Sequence, residues 1–242
     1  MYRHQIALAT SLLVLVVTSW TAVCRAETVE IFPSFSVEKH RYEAPLNEQP
    51  FYGFARKSEL MLAADREFIA KVEKNTGREI GAEQFEGMGW SALRSGDHAT
   101  AARRFNQAWL LSPGRSASVH GLAVVAANRF GDIGFAIELV EVASRMRHSL
   151  PTLPGDHGGL LIRAGRPGLA IPFLEKAVAE IPSWINPQIN LATARYEIGD
   201  VDAACRQLVR VERMLQERPE AGSATIEAAY RSLSKQTRCK SD

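Results

Sequence analysis

The sequence predicts an all-α protein built as an α-solenoid of about four helix pairs, with one extra helix before the pairs and a capping helix after them. The first observation is a glycine that recurs every 34 or 35 residues. The second is the spacing of apolar residues on both sides of each glycine, three or four residues apart, which is the helical period. The recurring glycines are Gly96, Gly131, Gly165 and Gly199. Each is predicted to form the turn between two amphipathic helices.

Four columns of small or apolar residues keep the same distance from these glycines, except that the first column has one residue more in the second unit. The columns are Gly89, Ala123, Gly158 and Ala192; Ala101, Ala136, Ala170 and Ala204; Phe105, Val140, Leu174 and Leu208; and Ala108, Ala143, Ala177 and Val211. Small residues on both helices let the two helices of a pair approach closely. Because a single pair cannot bury its apolar face alone, the pairs are predicted to stack into one continuous core.

This register resembles the tetratricopeptide repeat, a 34-residue helix-turn-helix unit. The residues of the first unit that match its pattern are Gly89, Ala101, Ala108, Phe105, Pro113 and the turn pair Gly96-Asp97. The resemblance covers residues 81–218 and implies a right-handed solenoid, here in a repeat protein of an exported bacterial type. The predicted units are 82–115, 116–150, 151–184 and 185–218.

Two helices are predicted to cover the ends of the stack. Residues 57–80 place Leu60, Ala64, Phe68 and Val72 on one face and stop at Gly77, a residue typical of helix ends. Residues 219–242 are predicted to form the capping helix and a tail, with Ser223 as the N-cap. In that helix Ile226, Tyr230 and Leu233 recur at helical spacing.

Residues 27–56 predict an extended N-terminal arm, either flexible or laid along the solenoid. Pro33, Pro45 and Pro50 interrupt this segment, so a continuous helix is excluded. Its aromatic side chains favour some docking, because disordered segments are usually poor in aromatic residues.

Residues 1–26 predict a signal peptide. A basic start precedes an apolar run at 6–17, which is the length of a secretory core region, and small residues lead up to a cut after Ala26. Two alternatives are an uncleaved anchor over 5–24 and a lipid-modified Cys24, although Val23 stands where lipoprotein signals usually have Gly or Ala. The chain is therefore expected to be exported, as a periplasmic or secreted protein, with a membrane anchor or a lipoprotein as the lesser alternatives.

Export would place the two cysteines of the mature chain in an oxidising compartment, where a disulfide can form. Cys205 and Cys239 form an even pair, which is either a disulfide or two separate thiols. The whole chain has 29 Lys and Arg against 27 Asp and Glu, and 1–26 removes Arg3 and Arg25 without any acid, so the mature chain has no formal net charge. A balanced charge without a long basic run disfavours a nucleic-acid partner.

Motifs for chemistry are missing from the sequence. It has no GxxxxGK[ST], GxSxG, HExxH or CxxC pattern. The histidines at 40, 98, 120, 148 and 157 are not at metal-ligand spacing from one another, and Asp156-His157 is interpreted as a helix cap beside a surface histidine. The sequence therefore predicts no enzyme, no cofactor, no metal and no small-molecule substrate.

The resemblance also implies a concave groove lined by the first helix of each pair. Register assigns to it Glu83, Glu86, Trp90, Leu93, Arg94, His120, Val124, Asn128, Gly159, Ile162, Arg163, Ile189, Thr193, Tyr196 and Glu197. Members that clamp a C-terminal carboxylate need Lys and Asn where this chain has Glu86 and Trp90, so that activity is disfavoured. Trp90 has two interpretations: it anchors a partner, or it packs against the preceding helix.

The predicted function is a non-catalytic adaptor or scaffold of the cell envelope that binds a peptide segment of another protein in this groove. The alternative is a structural or self-associating envelope protein whose groove is filled by its own N-terminal arm.

Overall fold

The computed structural model describes residues 27–218 and 223–239, and within these ranges a short hairpin and two 3-10 turns precede ten α-helices. The elements are β1 Thr28–Phe32, β2 Phe35–Glu38, the 3-10 turns Leu46–Glu48 and Pro50–Phe54, α1 Glu59–Asn75, α2 Arg78–Arg94, α3 His98–Leu111, α4 Ser116–Arg129, α5 Ile133–Arg145, α6 Leu153–Arg163, α7 Pro167–Glu180, α8 Ile185–Glu197, α9 Val201–Glu217 and α10 Ala224–Thr237. The predicted signal peptide, 1–26, and the start of the predicted cap at 219–222 lie outside the described residues.

Helices α2 to α9 form four pairs that stack in sequence order. Each first helix contacts its own second helix, and each second helix contacts the first helix of the next pair. First helices also contact each other directly, α2 with α4 and α6 with α8, whereas no two second helices of the described chain have a contact of that extent. The first helices therefore line the inner face of a curved stack, and the predicted all-α solenoid is confirmed.

The core consists of the repeated columns. Every residue of the four columns is buried, and Phe105, Leu174 and Val211 have no exposed surface. Phe105 fills the space over two glycines: a Cβ added at Gly89 would lie 2.8 Å from its ring, and one at Gly121 would lie closer still. Small residues on first helices thus make room for large residues on second helices.

The turns between paired helices repeat one backbone conformation. The turn glycines have φ of 77°, 68°, 71° and 88°, a left-handed region that favours glycine. In three pairs the next residue, Asp97, Asp132 or Asp200, accepts a hydrogen bond from the backbone N–H three residues on, which caps the second helix. The third pair has Arg166 there and Pro167 in the first helical turn instead.

The first helix of the first pair begins at Arg78 rather than at 82, so that predicted boundary was wrong, and the helix predicted within 57–80 ends at Asn75. Gly77, where that helix was predicted to stop, has φ 81° and stands at the N-cap position of α2, so it separates the two helices. At the other end, Ser223 accepts a hydrogen bond from the Ile226 N–H at 3.2 Å and α10 packs on α8 and α9.

The N-terminal arm is laid on the outer face of the first two pairs. The hairpin β1–β2 contacts α5, and the two 3-10 turns contact α3 and α4. Phe51 packs edge-on against Trp109 at 5.3 Å between centroids, and Tyr42 stacks on Phe130 at 3.9 Å. The buried Asn106 donates its amide hydrogens to the carbonyl oxygens of residues 47 and 49. The arm therefore fills the space between the second helices α3 and α5.

This position contradicts the alternative hypothesis that the arm fills the groove. The arm carries aromatic groups whose partners are Trp109 of α3, Phe130 at the end of α4 and Phe135 at the start of α5, and none of these lies on α6 or α8. Sequence spacing within the arm holds no information on which face offers those partners. No helix among the described residues is long and apolar enough to cross a membrane.

Candidate binding groove

An open groove runs over the inner face between α4, α6 and α8. Its cavity has a volume of about 290 Å³. Val124 and Ile162, both half-buried, form part of an apolar floor, together with the buried Leu160. The polar side chains that line the same cavity are Asn128, Asp156, Arg163 and Asn190.

Hydrogen bonds fix the polar rim of this groove. Arg163 donates to Asn128 Oδ1 at 3.1 Å and to the Ala127 carbonyl oxygen at 3.0 Å, so α6 is tied to α4. Two turns earlier on α6, Asp156 Oδ2 lies 2.9 Å from Nε2 of the buried His120. Arg163 remains exposed to solvent. The result is an apolar floor with a cationic and an anionic side chain two turns apart on α6, which suits an extended or helical peptide.

Five of the predicted groove residues are brought together here. They are Val124, Asn128, Gly159, Ile162 and Arg163. The prediction omits the other six lining residues, of which two, Asp156 and Asn190, have polar side chains. The sequence analysis interprets Asp156 as a helix cap, but α6 begins at Leu153 and so carries Asp156 one turn before Gly159 on the same helical face. The three-residue spacing between Asp156 and Gly159 is the feature of the sequence that could have predicted Asp156 as a groove residue.

Three predicted groove residues are instead buried. Glu86, His120 and Ile189 have 6%, 2% and 5% of their surface exposed. Glu86 is held by Arg115 and by the Ser118 hydroxyl, so its charge is satisfied within the chain. The repeat register places these side chains on first helices correctly, but it does not reveal that neighbouring helices cover them.

Trp90 packs on its own chain, although not against the helix that was predicted. Its ring is edge-on to Phe105 at 5.3 Å and tilted over His120 at 5.0 Å, so it joins α2 to α3 and α4. Helix α1 packs elsewhere on α2, where Phe68 meets Phe85 at 5.4 Å. Trp90 keeps a half-exposed edge, whereas Arg94 one turn later is exposed.

The capping helix covers the end of the groove. Tyr196 packs with Leu233 and Tyr230 of α10, and Thr193 donates its hydroxyl hydrogen to the Ile189 carbonyl oxygen at 3.0 Å. The structure also joins Cys205 of α9 to Cys239 after α10 in a disulfide, with 5.5 Å between their Cα atoms. Of the groove residues of the fourth pair, Ile189 and Tyr196 therefore pack in clusters with the capping helix.

Two further groups matter for chemistry. His157, interpreted from the sequence as a surface residue, is 5% exposed and lies over Phe173, and this burial lowers its pKa.

On the outer face, Glu38, His40 and Glu138 offer ligand atoms within 4.8 Å of one another and could hold a metal ion. Neither group lies in the groove between α4, α6 and α8.

Comparisons with known proteins bear on the fold. No family model and no curated protein matches the chain. Among solved structures, the chain is similar to that of PilF from Pseudomonas aeruginosa, with a TM-score of 0.56 and 18% identity over 67% of this chain and 72% of that chain. It is similar to TTC0263, a thermophilic tetratricopeptide repeat protein of Thermus thermophilus, with a TM-score of 0.53 and 17% identity over 71% and 89%.

A third similarity, to the Cut9–Hcn1 complex of the APC/C, has a TM-score of 0.56 and 15% identity over 73% of this chain and 33% of that chain. With the stacked pairs and the repeated columns, these similarities confirm the prediction of a tetratricopeptide-repeat fold. The class of the protein is an α-solenoid of that fold.

Proposed function

We propose that this chain is a non-catalytic interaction module that holds a peptide segment of another protein in the groove between α4, α6 and α8. The observation that supports this most is the open groove itself, with Val124 and Ile162 on its floor and charged groups of opposite sign, Arg163 and Asp156, two turns apart on α6. The arm, which would otherwise compete for the groove, is docked on the opposite face.

We also propose that the module acts in the cell envelope. The sequence pattern of residues 1–26 is that of a secretory signal. The disulfide between Cys205 and Cys239 supports this, because such bonds persist mainly in oxidising compartments. Fusion of residues 1–26 to a reporter that is active only after export tests this part of the proposal.

A displayed library of random peptides tests the groove. Selected peptides are labelled, and their binding to the chain is measured by fluorescence anisotropy. Ile162→Glu places a charge on the apolar floor, and Asn128→Ala removes an exposed rim amide without touching the core. Both are expected to weaken binding about tenfold or more.

The matched control is Leu60→Glu, which makes a comparable change at a side chain of α1 that is 81% exposed. It is expected to leave binding within about twofold. Circular dichroism confirms that each variant is folded. Peptides that bind all three variants as tightly as the unchanged chain would exclude the groove as their site.

Self-association is the second candidate function. Outside the arm's footprint, the outer face near α7 and α9 exposes Leu169 by 60% and Ile198 and Val209 by 49% each. A second copy would cover this surface. Sedimentation velocity over a hundredfold range of protein concentration tests self-association. A molecular mass that stays at that of the monomer over this range excludes it.

A further inference from the structure

Three side chains with metal-ligand chemistry meet where the arm crosses α5. Glu38 ends β2, His40 follows two residues later, and Glu138 lies in the second turn of α5, about a hundred residues away in sequence. One ligand atom from each lies within 4.8 Å of the others. The docking of the arm creates this set, which is why sequence spacing gave no sign of a metal site.

His40 is held in the orientation that a metal ligand requires. Its Nδ1 lies 2.7 Å from Asp132 Oδ2, and its ring stacks on Phe135 at 4.2 Å between centroids. The other ring nitrogen, Nε2, then faces Glu38, with 3.7 Å to Oε2. Histidines that bind metals nearly always donate their second ring N–H to a carboxylate or carbonyl group, which fixes the tautomer.

Asp132 is itself fixed, so it can position the histidine. Its Oδ1 accepts the Phe135 N–H as the N-cap of α5, and its Oδ2 also accepts the Tyr42 hydroxyl at 3.0 Å. Asp132 is a positioning residue, outside the ligand set.

Glu138 has one oxygen committed and one available. Its Oε1 accepts the backbone N–H of Glu38 at 2.9 Å, which leaves Oε2 for a ligand. Two carboxylates and one imidazole nitrogen therefore lie close together, and these are ligand types that bind zinc.

We propose that Glu38, His40 and Glu138 bind one divalent transition-metal ion, with Zn²⁺ as the best match. One imidazole nitrogen and two carboxylate oxygens are ligands that Zn²⁺ accepts in a tetrahedral site with water in the fourth position. Mg²⁺ and Ca²⁺ prefer ligand sets made of oxygen alone. Because two ligands belong to the arm and one to α5, the ion would clasp the hairpin to the solenoid, and this inference is independent of the proposed groove function.

Isothermal titration of the purified chain with ZnCl₂, with MgCl₂ as the comparison, tests the site. Saturable binding of one Zn²⁺ per chain is expected, with much weaker binding of Mg²⁺. Three variants remove ligands: Glu38→Gln, His40→Gln and Glu138→Gln. Glu38 is exposed, so its variant leaves packing intact, and Gln at 138 can still accept the Glu38 N–H.

Each of these variants is expected to weaken Zn²⁺ binding about tenfold or more, and Asp132→Asn by about 10–100-fold as a positioning residue. His148→Asn, which removes an exposed histidine outside the site, is the matched control and should leave the affinity unchanged. Hydrogen exchange supplies the second measurement: Zn²⁺ should slow exchange in residues 28–40 of the unchanged chain and not of Glu38→Gln. The proposal is overturned by absence of saturable Zn²⁺ binding, by equal affinity in the ligand variants, or by unchanged exchange in the hairpin.

Discussion

Arg115 holds the carboxylate of Glu86 with two parallel hydrogen bonds, from Nε to Oε1 and from Nη2 to Oε2, each 2.9 Å long. Ser118 donates a third, at 2.8 Å to Oε1. The side chain of Glu86 is 7% exposed and that of Arg115 23%. This pair joins the first helix of the first pair, α2, to the start of α4, so it ties two repeats together at the level of the groove.

Replacing Glu86 with Ala is expected to lower the free energy of unfolding by about 3 kcal/mol. The change leaves a partly buried guanidinium without its main partner and the Ser118 hydroxyl without its acceptor. Urea unfolding followed by circular dichroism measures the loss.

Glu83→Ala is the matched control for that variant. Glu83 also pairs with Arg115, at 3.3 Å, but its side chain is 61% exposed, and exposed pairs contribute little. A change below about 0.5 kcal/mol is expected. If the two variants lose the same free energy, burial of Glu86 is not what gives the pair its strength.

The Glu86–Arg115 pair shows how far the sequence could predict the groove. Repeat register correctly placed Glu86 on a first helix, because small residues and glycines recur with the period of the fold. Whether a side chain on that helix is free depends on a loop residue 29 positions later, and no local pattern links the two. The same reasoning applies to His120, which was assigned to the groove and is covered by Trp90 and Asp156.

Gly121→Ala is expected to destabilise the protein by about 1–3 kcal/mol. A Cβ at this position would meet the ring of Phe105, which is fully buried and also lies against Gly89. The ring has no free space into which to move, so the added methyl group overpacks the core. Thermal unfolding measures the effect.

Gly87→Ala tests the same substitution where there is room. Gly87 lies on the exposed side of α2, and a Cβ there has no heavy atom within 4 Å. Stabilisation by about 0.5–1 kcal/mol is expected, because Ala favours the helix over Gly. Destabilisation by both variants would contradict the role given to Phe105.

Phe51→Ala is expected to lower the free energy of unfolding by about 3 kcal/mol. Phe51 is 4% exposed and packs on Trp109 of α3, so its loss leaves a cavity under the arm. Limited proteolysis should then cut within residues 27–56 first. Leu46→Ala, at an arm residue that is 38% exposed, is the control and should change stability by less than about 0.5 kcal/mol.

The conformation of the arm could not be predicted from the sequence, for a physical reason. The aromatic content predicted docking, but residues 51–54 form a left-handed turn, with φ between 52° and 60°. Such a turn costs on the order of 1–2 kcal/mol for each residue other than glycine. Tertiary contacts of Phe51 and the hydrogen bonds from Asn106 offset that cost, and local preferences could not predict it.

Reduction of the Cys205–Cys239 disulfide is expected to loosen α10. The bond closes a loop with a sequence separation of 34, which by chain entropy stabilises the fold by about 3–4 kcal/mol. Alkylation followed by mass spectrometry should label neither cysteine before reduction and both after it. Faster hydrogen exchange in α10 than in α2 after reduction is the expected structural result, and two thiols already free before reduction would refute the bond.

Because of the buried imidazole of His157, the protein is expected to lose stability as the pH falls. Its pKa is lowered in the folded state because the ring is buried, while the nearby Glu141, at 3.8 Å, acts in the opposite direction. Arg145 and Lys176 line the same cavity. In the unfolded chain a histidine titrates near pH 6.5.

Below that pH the unfolded chain therefore binds a proton that the folded chain does not bind until lower pH. The contribution is fully present above pH 6.5 and is lost as the pH falls toward the folded pKa. Urea unfolding at pH 8, 7, 6 and 5 should show the unchanged chain losing stability relative to His157→Gln as the pH falls, whereas the exposed control His148→Asn should follow the unchanged chain. A difference between His157→Gln and the unchanged chain that is the same at every pH would show that the buried ring does not couple protonation to unfolding.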